Sequence, residues 1–362
     1  MIDNTLERVC RGFCISGEYI GHEVIQVGNV NKTYRVKFRL DDGKEKSYLV
    51  QNVNTYVFKN PVLVMENIDK VTEHIRAKNP GRIALHFHHT ADRKTYIEDG
   101  DNFWRMTNFI PSTTHNVVSD LQIMRNAGGA FGEFQIQLSD FDIDQLHETI
   151  PDFHNTRKRY EKLEDSIAQD PCGKVSEVLE QIEYLRSVRD LACTLSDMQV
   201  RGELPLRVTH NDTKINNVLF DCEGKLPLVV VDLDTVMPGL VGCDFGDAIR
   251  FAGNFVEEDS PEYERAGLNM DVFEAFTEGF LEKTGSVLTP NEIDTLAISC
   301  FALTVELAVR FLDDYIQGSP YFKTLYPEHN LVRTNCQIAL AKDMHNKLPA
   351  MAECVRKAIR SI

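Results

Sequence analysis

The sequence predicts an α+β protein of two lobes: a small antiparallel sheet lobe over residues 1–110, then a larger, mainly helical lobe over residues 111–362. Three observations carry this. Short runs rich in Val, Ile, Tyr and Phe, divided by turn signals, fill the first 110 residues. Beyond Ile110-Pro111, long stretches place apolar residues at helical spacing. A strand-and-loop segment at 205–250 interrupts those helices and holds the densest set of acidic and amide side chains.

The elements follow in chain order. Gly28 and the residues Asn29 to Thr33 read as a turn whose backbone N–H groups can approach a bound anion, glycine permitting the close approach. Arg35 to Leu40 alternates polar and apolar, Asp41-Asp42-Gly43-Lys44 turns the chain, and Ser47 to Val50 returns it as a hairpin. A helix is predicted from Asn60-Pro61, with Leu63, Met65, Ile68, Val71 and Ile75 on one face. Ile83 to His89, Thr95 to Ile97 and Asn102 to Ile110 read as three further strands. A short connector at Asn108 to Ser112 joins the lobes. In the helical lobe, Ser176 to Gln199 reads as one continuous helix, and Thr289-Pro290-Asn291-Glu292 as a capping box opening another. Internal repeats and low-complexity tracts are absent.

Composition sets outer limits. Lys+Arg total 39 and Asp+Glu 55, a net charge of −16, which disfavours nucleic acid and anionic membranes as partners. A hydrophobic fraction of 43% over 362 residues is enough for real cores and excludes disorder. The nine Cys are scattered without a Cys-x-x-Cys pair and read as reduced thiols. No leader-like start is visible, and no apolar run approaches the roughly 18 residues of a membrane span, so a soluble, cytoplasmic protein is expected.

The chemistry concentrates between Leu206 and Asp234. The runs Val218–Phe220 and Leu228–Val231 flank a turn at Asp221 to Lys225. Paired antiparallel with Val218 opposite Val231, they make Asn217 and Asp232 neighbours at the open end of the hairpin. Asp212 lies five residues before Asn217 in a tight polar loop. Three oxygen-bearing side chains thus converge on one mouth, as Mg²⁺-assisted phosphoryl transfer requires. Asp244-Phe245-Gly246 lies too far past the second strand to reach Asn217 and is expected, with Asp247, to brace the catalytic loop. Asp234 would share the side of Asp232, as a second metal ligand or as an acceptor contact.

His210-x-Asp212-x-x-x-x-Asn217, followed by Asp232 after an apolar run, resembles the catalytic core of the aminoglycoside phosphotransferase and choline kinase superfamily, whose fold is protein-kinase-like. The fuller wording His210 to Asn217, with Ile150-Pro151-Asp152-Phe153-His154-Asn155-Thr156 and Gly28 to Tyr34, is similar to the N-acetylhexosamine 1-kinase branch. The resemblance implies ATP and Mg²⁺ as cofactors, Asp212 as catalytic base, and Asn217 and Asp232 as magnesium ligands. It places Gly28, Asn29, Asn31 and Thr33 at the nucleotide, with the connector at Asn108 beside the adenine. It also exposes a departure: the third strand carries Gln51 where most members carry a phosphate-binding lysine, leaving Lys32 or Lys214 as possible substitutes. The implied reaction is phosphorylation of the C1 hydroxyl of an N-acetylhexosamine; choline, ethanolamine, homoserine or an aminoglycoside are the alternative acceptors.

For the acceptor pocket, Glu306 and Arg310 sit four apart on an otherwise apolar helix and either staple it or face a ligand. The resemblance favours Arg310 and Tyr321 as sugar contacts, with His154 a further candidate. His86-Phe87-His88-His89 lacks carboxylates at ligand spacing and reads as a solvated strand face rather than a metal site. A pseudokinase or regulatory binding module is conceivable without the third-strand lysine, but Asp212, Asn217 and Asp232 are all present.

Overall fold

The computed structural model describes residues 2–25, 30–116 and 120–362. The N-terminal part comprises α1 (Ile2–Gly12), β1 (Glu18–Ile25), β2 (Lys32–Arg39), β3 (Glu45–Val53), α2 (Pro61–Lys78), β4 (Ile97–Asp99) and β5 (Asn102–Asn108). Its strands form one antiparallel sheet in the order β1-β2-β3-β5-β4. α1 is a helix that the strand-like reading of this region missed. Leu6, Val9, Cys10 and Phe13 recur at helical spacing and bury against Val36, Phe38, Tyr48, Val50, Trp104 and Met106 on one sheet face. Thr33, Gln51 and Arg105 line up across the opposite face.

One expected strand of this lobe does not form. Ile83 to His89 is not a strand: only Phe87 bridges Thr107, and the His88 N–H donates to Met106 O at 2.8 Å. Trp104 belongs to the sheet core, because β5 is paired on both edges there, and the Phe109 N–H still donates to Ser47 O at 3.1 Å.

The rest of the chain is mainly helical: α3 (Leu121–Gln137), α4 (Thr156–Gln169), α5 (Leu179–Ser187), α6 (Arg189–Ala192), α7 (Thr194–Val200), α8 (Val241–Ala252), α9 (Met270–Thr284), α10 (Pro290–Ile316) and α11 (His329–Arg360). Between α7 and α8 lie β6 (Arg207–Thr209), β7 (Val218–Phe220), β8 (Pro227–Val230) and β9 (Met237–Gly239), paired as β6–β9 and β7–β8. The single helix expected over Ser176–Gln199 is broken into α5, α6 and α7. At the first break the Val188 N–H is shared between Tyr184 O and Leu185 O at 3.3 Å each, and the buried Tyr160 hydroxyl also donates to Leu185 O at 2.7 Å.

α10 begins with the expected capping box, Thr289 and Glu292 satisfying each other's backbone N–H. Contrary to the sequence expectation, α10 contains an 18-residue window apolar enough to cross a membrane, but 89% of that window is buried in the protein core. Helices α3 and α9 pack backbone to backbone at Gly128, where a Cβ would stand 2.2 Å from Phe276 O. Asn67 of α2, fully buried, ties the two parts together. Its amide donates to His147 O at 2.8 Å and Val236 O at 2.9 Å, and its oxygen accepts the His147 N–H at 2.9 Å.

Candidate active site

The loop after β6 is built to hold Asp212 in place. Asn211 takes the left-handed conformation (φ 63°), which Asn tolerates better than most residues, and the chain reverses there. The Asp244 carboxylate accepts the N–H groups of His210 at 2.9 Å and Asn211 at 2.7 Å, and the Gln135 amide at 3.1 Å. Asp244 does brace the loop, as the sequence reading expected. The Asp-Phe-Gly triplet lies within α8, where Gly246 meets α10 so closely that a Cβ would stand 2.5 Å from Ser299 O. Asp247 pairs with Arg250 at 3.0 Å. Two more bonds fasten the loop to the turn after β8: the Asn211 amide donates to Thr235 O at 3.0 Å and the Thr235 hydroxyl to His210 O at 2.7 Å.

Asp212 is half-buried, with Lys214 Nζ 3.0 Å from its Oδ1. Burial opposes the Lys214 charge, yet Asp212 and Asp247 hold its ammonium above the usual value. The Asn217 amide donates to Asp212 O at 2.8 Å, while its Oδ1 receives no hydrogen bond among the described residues. The hairpin register differs by one residue from expectation. Val218 lies opposite Val230 because the ladder is irregular between Leu219 and Phe220. The Val231 N–H still donates to Asn217 O at 2.8 Å, so Asn217 and Asp232 remain side by side.

Asp232 has a left-handed backbone (φ 62°) and no hydrogen-bond or ion-pair partner among the described residues. Its side chain opens to solvent but is closed in by protein on its other sides. That desolvation, and then the Asp234 and Asp212 carboxylates, push its carboxyl up to about 6. An uncompensated carboxylate beside a free amide oxygen is a donor set that fits Mg²⁺, which takes one or two protein oxygens and completes its shell with phosphates and water. Among the described residues no three His, Cys, Asp or Glu side chains converge as a ready metal cage. The histidines at 86–89 are instead partnered one by one: His86 with Glu73 at 3.1 Å, His88 with Asn108 at 3.1 Å and His89 with Asp69 at 3.2 Å.

On the sheet side, Gly28 and Asn29 lie outside the described residues. The Asn31 amide donates to Asp234 Oδ2 at 2.8 Å, and its oxygen accepts the Asn54 N–H at 2.9 Å. The Gln51 amide donates to the Thr33 hydroxyl at 3.2 Å and accepts from Arg105 Nε at 2.9 Å. Arg105, 3% exposed, also ion-pairs with Asp234. Both Asp234 oxygens are therefore engaged by sheet-lobe residues, not turned toward an acceptor. The Asn108 amide oxygen is bonded to His88 at 3.1 Å.

On the helical side, of the two readings of Glu306 and Arg310 the helical staple is not formed. Fully buried Glu306 pairs with His154 Nδ1 at 2.9 Å and accepts the Thr156 hydroxyl at 2.8 Å. The other His154 ring nitrogen bonds Asn211 O at 3.2 Å, so both nitrogens are spoken for and the histidine ties α10 to the catalytic loop. Asn155 caps α4 through the Lys158 N–H at 3.2 Å, and Arg157 pairs with Asp197 at 2.6 Å. Arg310 lies between the rings of Phe153 (5.3 Å) and Phe322 (5.6 Å), its guanidinium without an acceptor among the described residues. Arg159 is nearby, its pKa lowered by burial and then by the Arg310 charge. Tyr321, 66% exposed, contacts Phe322 ring to ring at 4.9 Å. A groove of about 570 Å³ floored by Ile75, Phe134, Val230 and Leu233 contains none of these site residues.

Sequence reasoning missed Arg105, Arg159 and Asn67. Arg105 was signalled by its place as the lone charge in Phe103-Trp104-Arg105-Met106. Asn67 carried no local signal because its partners are distant in sequence, and Arg159, although it donates to Phe153 O at 2.7 Å, owes its place beside Arg310 to a distant helix.

A five-stranded antiparallel sheet lobe over a larger helical lobe, with the Asp212 loop and the Asp232 turn where the two meet, defines a phosphotransferase of protein-kinase-like fold. Residues 24–278, well over half of the chain, match the phosphotransferase enzyme family (APH). The chain belongs to that family and is a small-molecule phosphotransferase. Solved structures agree on the fold. An aminoglycoside phosphotransferase from Alicyclobacillus acidocaldarius is similar at TM-score 0.62 and 12% identity, over 98% of this chain and 96% of that one. Spectinomycin phosphotransferase in complex with ADP and spectinomycin is similar at TM-score 0.55 and 14% identity, over 95% and 97%. Choline kinase from Cryptosporidium parvum Iowa II is similar at TM-score 0.57 and 13% identity, over 95% and 94%.

Proposed function

We propose that this phosphotransferase uses ATP and Mg²⁺ to phosphorylate the C1 hydroxyl of an N-acetylhexosamine, GlcNAc or GalNAc, with residues 1–110 as the nucleotide lobe and 111–362 as the acceptor lobe. The observation that carries the acceptor class is the pair Arg159 and Arg310, which have no carboxylate within ion-pair distance among the described residues. Guanidinium donors suit the hydroxyl and N-acetyl oxygens of a neutral sugar and repel a quaternary ammonium or a polycationic aminoglycoside. The wording of residues 150–156 and 210–217 supports the N-acetylhexosamine branch.

Bound MgATP supplies the transferable phosphoryl group and neutralises its charge. Asn217 Oδ1 and Asp232 would hold the metal, and Asn31, Thr33 and the backbone beyond Asn108 would line the nucleotide. Asp212 orients the acceptor hydroxyl and takes its proton, worth about 10²–10⁴ in rate for a positioned base. Arg310 and Tyr321 orient the sugar, while His154 holds the loop that carries Asp212.

Measuring ADP release across free hexosamines, amino alcohols and aminoglycosides, with the phosphorylated carbon identified by NMR, tests the reading. Release with GlcNAc or GalNAc and a 1-phosphate product is expected; release only with choline, ethanolamine, homoserine or an aminoglycoside would overturn it. Asp212→Asn is expected to retain nucleotide binding and lose transfer.

A further inference from the structure

Asp212 and Asp234 add their charge to that of Asp232 at the mouth where a polyphosphate must sit, and β3 presents the neutral Gln51 at the position on that face in register with Arg105. Lys214 is committed to Asp212 at 3.0 Å. Directly across the β3–β5 ladder, in register with Gln51, stands Arg105. Gln51 Oε1 accepts from its Nε at 2.9 Å and fixes the plane of the guanidinium. Helix α2 faces it with the Met65 sulfur at 3.9 Å, not with a carboxylate. Its counter-ion is Asp234, two residues from Asp232, and the same Asp234 is held by Asn31 from the loop before β2. Arg105 Nη2 has no acceptor among the described residues.

We propose that Arg105 is the phosphate-binding cation of this protein, moved one strand over from β3 to β5, with Asp234 as its resting counter-ion and Gln51 as the side chain that aims it. One guanidinium nitrogen stays on Gln51, one on Asp234, and Nη2 is left for a nucleotide phosphate oxygen. Swapping Asp234 or Arg105 would therefore unsettle the phosphate end of the nucleotide and spare the adenosine end. The inference rests on the nucleotide part of the proposed function and is independent of the acceptor.

The test is displacement of a fluorescent ATP analogue by ATP, ADP and adenosine, with and without Mg²⁺, on the full chain. Arg105→Gln is expected to weaken ATP and ADP by about 10–100-fold and adenosine by less than about 2-fold, with Arg105→Lys intermediate. Because Arg105→Gln alone strands a buried carboxylate, Arg105→Gln/Asp234→Asn serves as the folded control and is expected to show the same selective loss. Gln51→Lys added to Arg105→Gln returns a cation to the neighbouring strand and is expected to recover ATP binding to within about 5-fold of wild type. The assignment is overturned if Arg105→Gln/Asp234→Asn binds ATP like wild type, or loses adenosine and ATP equally. Wild-type protein that bound no adenine nucleotide would overturn the nucleotide reading along with it.

Discussion

Asp244→Asn isolates the bracing of the catalytic loop from the chemistry itself. The substitution keeps size and shape but replaces one carboxylate oxygen by an NH₂ group in a buried site where three donors converge, the His210 and Asn211 N–H groups and the Gln135 amide. Hydrogen bonds to a charged acceptor contribute about 1.5–3 kcal/mol each, and a stranded buried donor costs about 1–3 kcal/mol. The remaining oxygen can keep only part of the set, so about 3–5 kcal/mol is lost. At about 2–4 °C per kcal/mol for a chain of this order of size, Tm falls by roughly 6–20 °C. Asp212 is two residues from the released backbone, and loss of its position lowers kcat about 10²-fold with little change in nucleotide affinity. Differential scanning fluorimetry and coupled ADP release at pH 8 read the two effects. A variant with Tm within 2 °C of wild type and kcat within about 3-fold would refute the reasoning.

Three further outcomes are expected. Asp232→Asn raises the Mg²⁺ concentration needed for half-maximal nucleotide binding at least about 10-fold; in the wild type that concentration also rises as pH drops through about 6, where the raised carboxyl takes up a proton, and a flat profile would count against the metal assignment. For the His154–Glu306 pair, burial opposes the imidazolium but Glu306 raises it, and His154 in turn overrides burial to hold Glu306 low. A raised His stabilises at low pH and loses that contribution as pH rises through its folded value, while a depressed Glu stabilises above its usual value of 4.5; Glu306→Gln therefore costs most Tm at about pH 5–6.5 and progressively less toward pH 9. Gly128→Ala drives a methyl onto the Phe276 carbonyl and costs about 2–3 kcal/mol, seen as a lower urea midpoint with an unchanged m-value.

The catalytic loop and the hairpin were legible in the sequence because their logic is local: Asp212, Asn217 and Asp232 lie within one short stretch whose turns and apolar runs set the geometry. The capping box at Thr289 and the β2–β3 hairpin were legible for the same reason. What escaped depends on partners far away in sequence. Tyr160 reaches the Leu185 carbonyl beside the first break of the expected long helix from 25 residues upstream, and Arg105 finds Asp234 across 129 residues. Glu306 lies four from Arg310, a spacing that suggests a helical staple, yet a histidine 152 residues earlier takes its place. α1 failed differently: its helical pattern was present, and the strand-rich texture that follows it masked the signal.

Asn67 bears on control. Swinging α2 away from the helical lobe would break three hydrogen bonds to buried backbone groups, at His147 and Val236. At about 1 kcal/mol or more for each, the displaced helix is populated at under about 1%. The fold therefore rests with α2 docked on the helical lobe, and any displacement of that helix must first give up the Asn67 bonds.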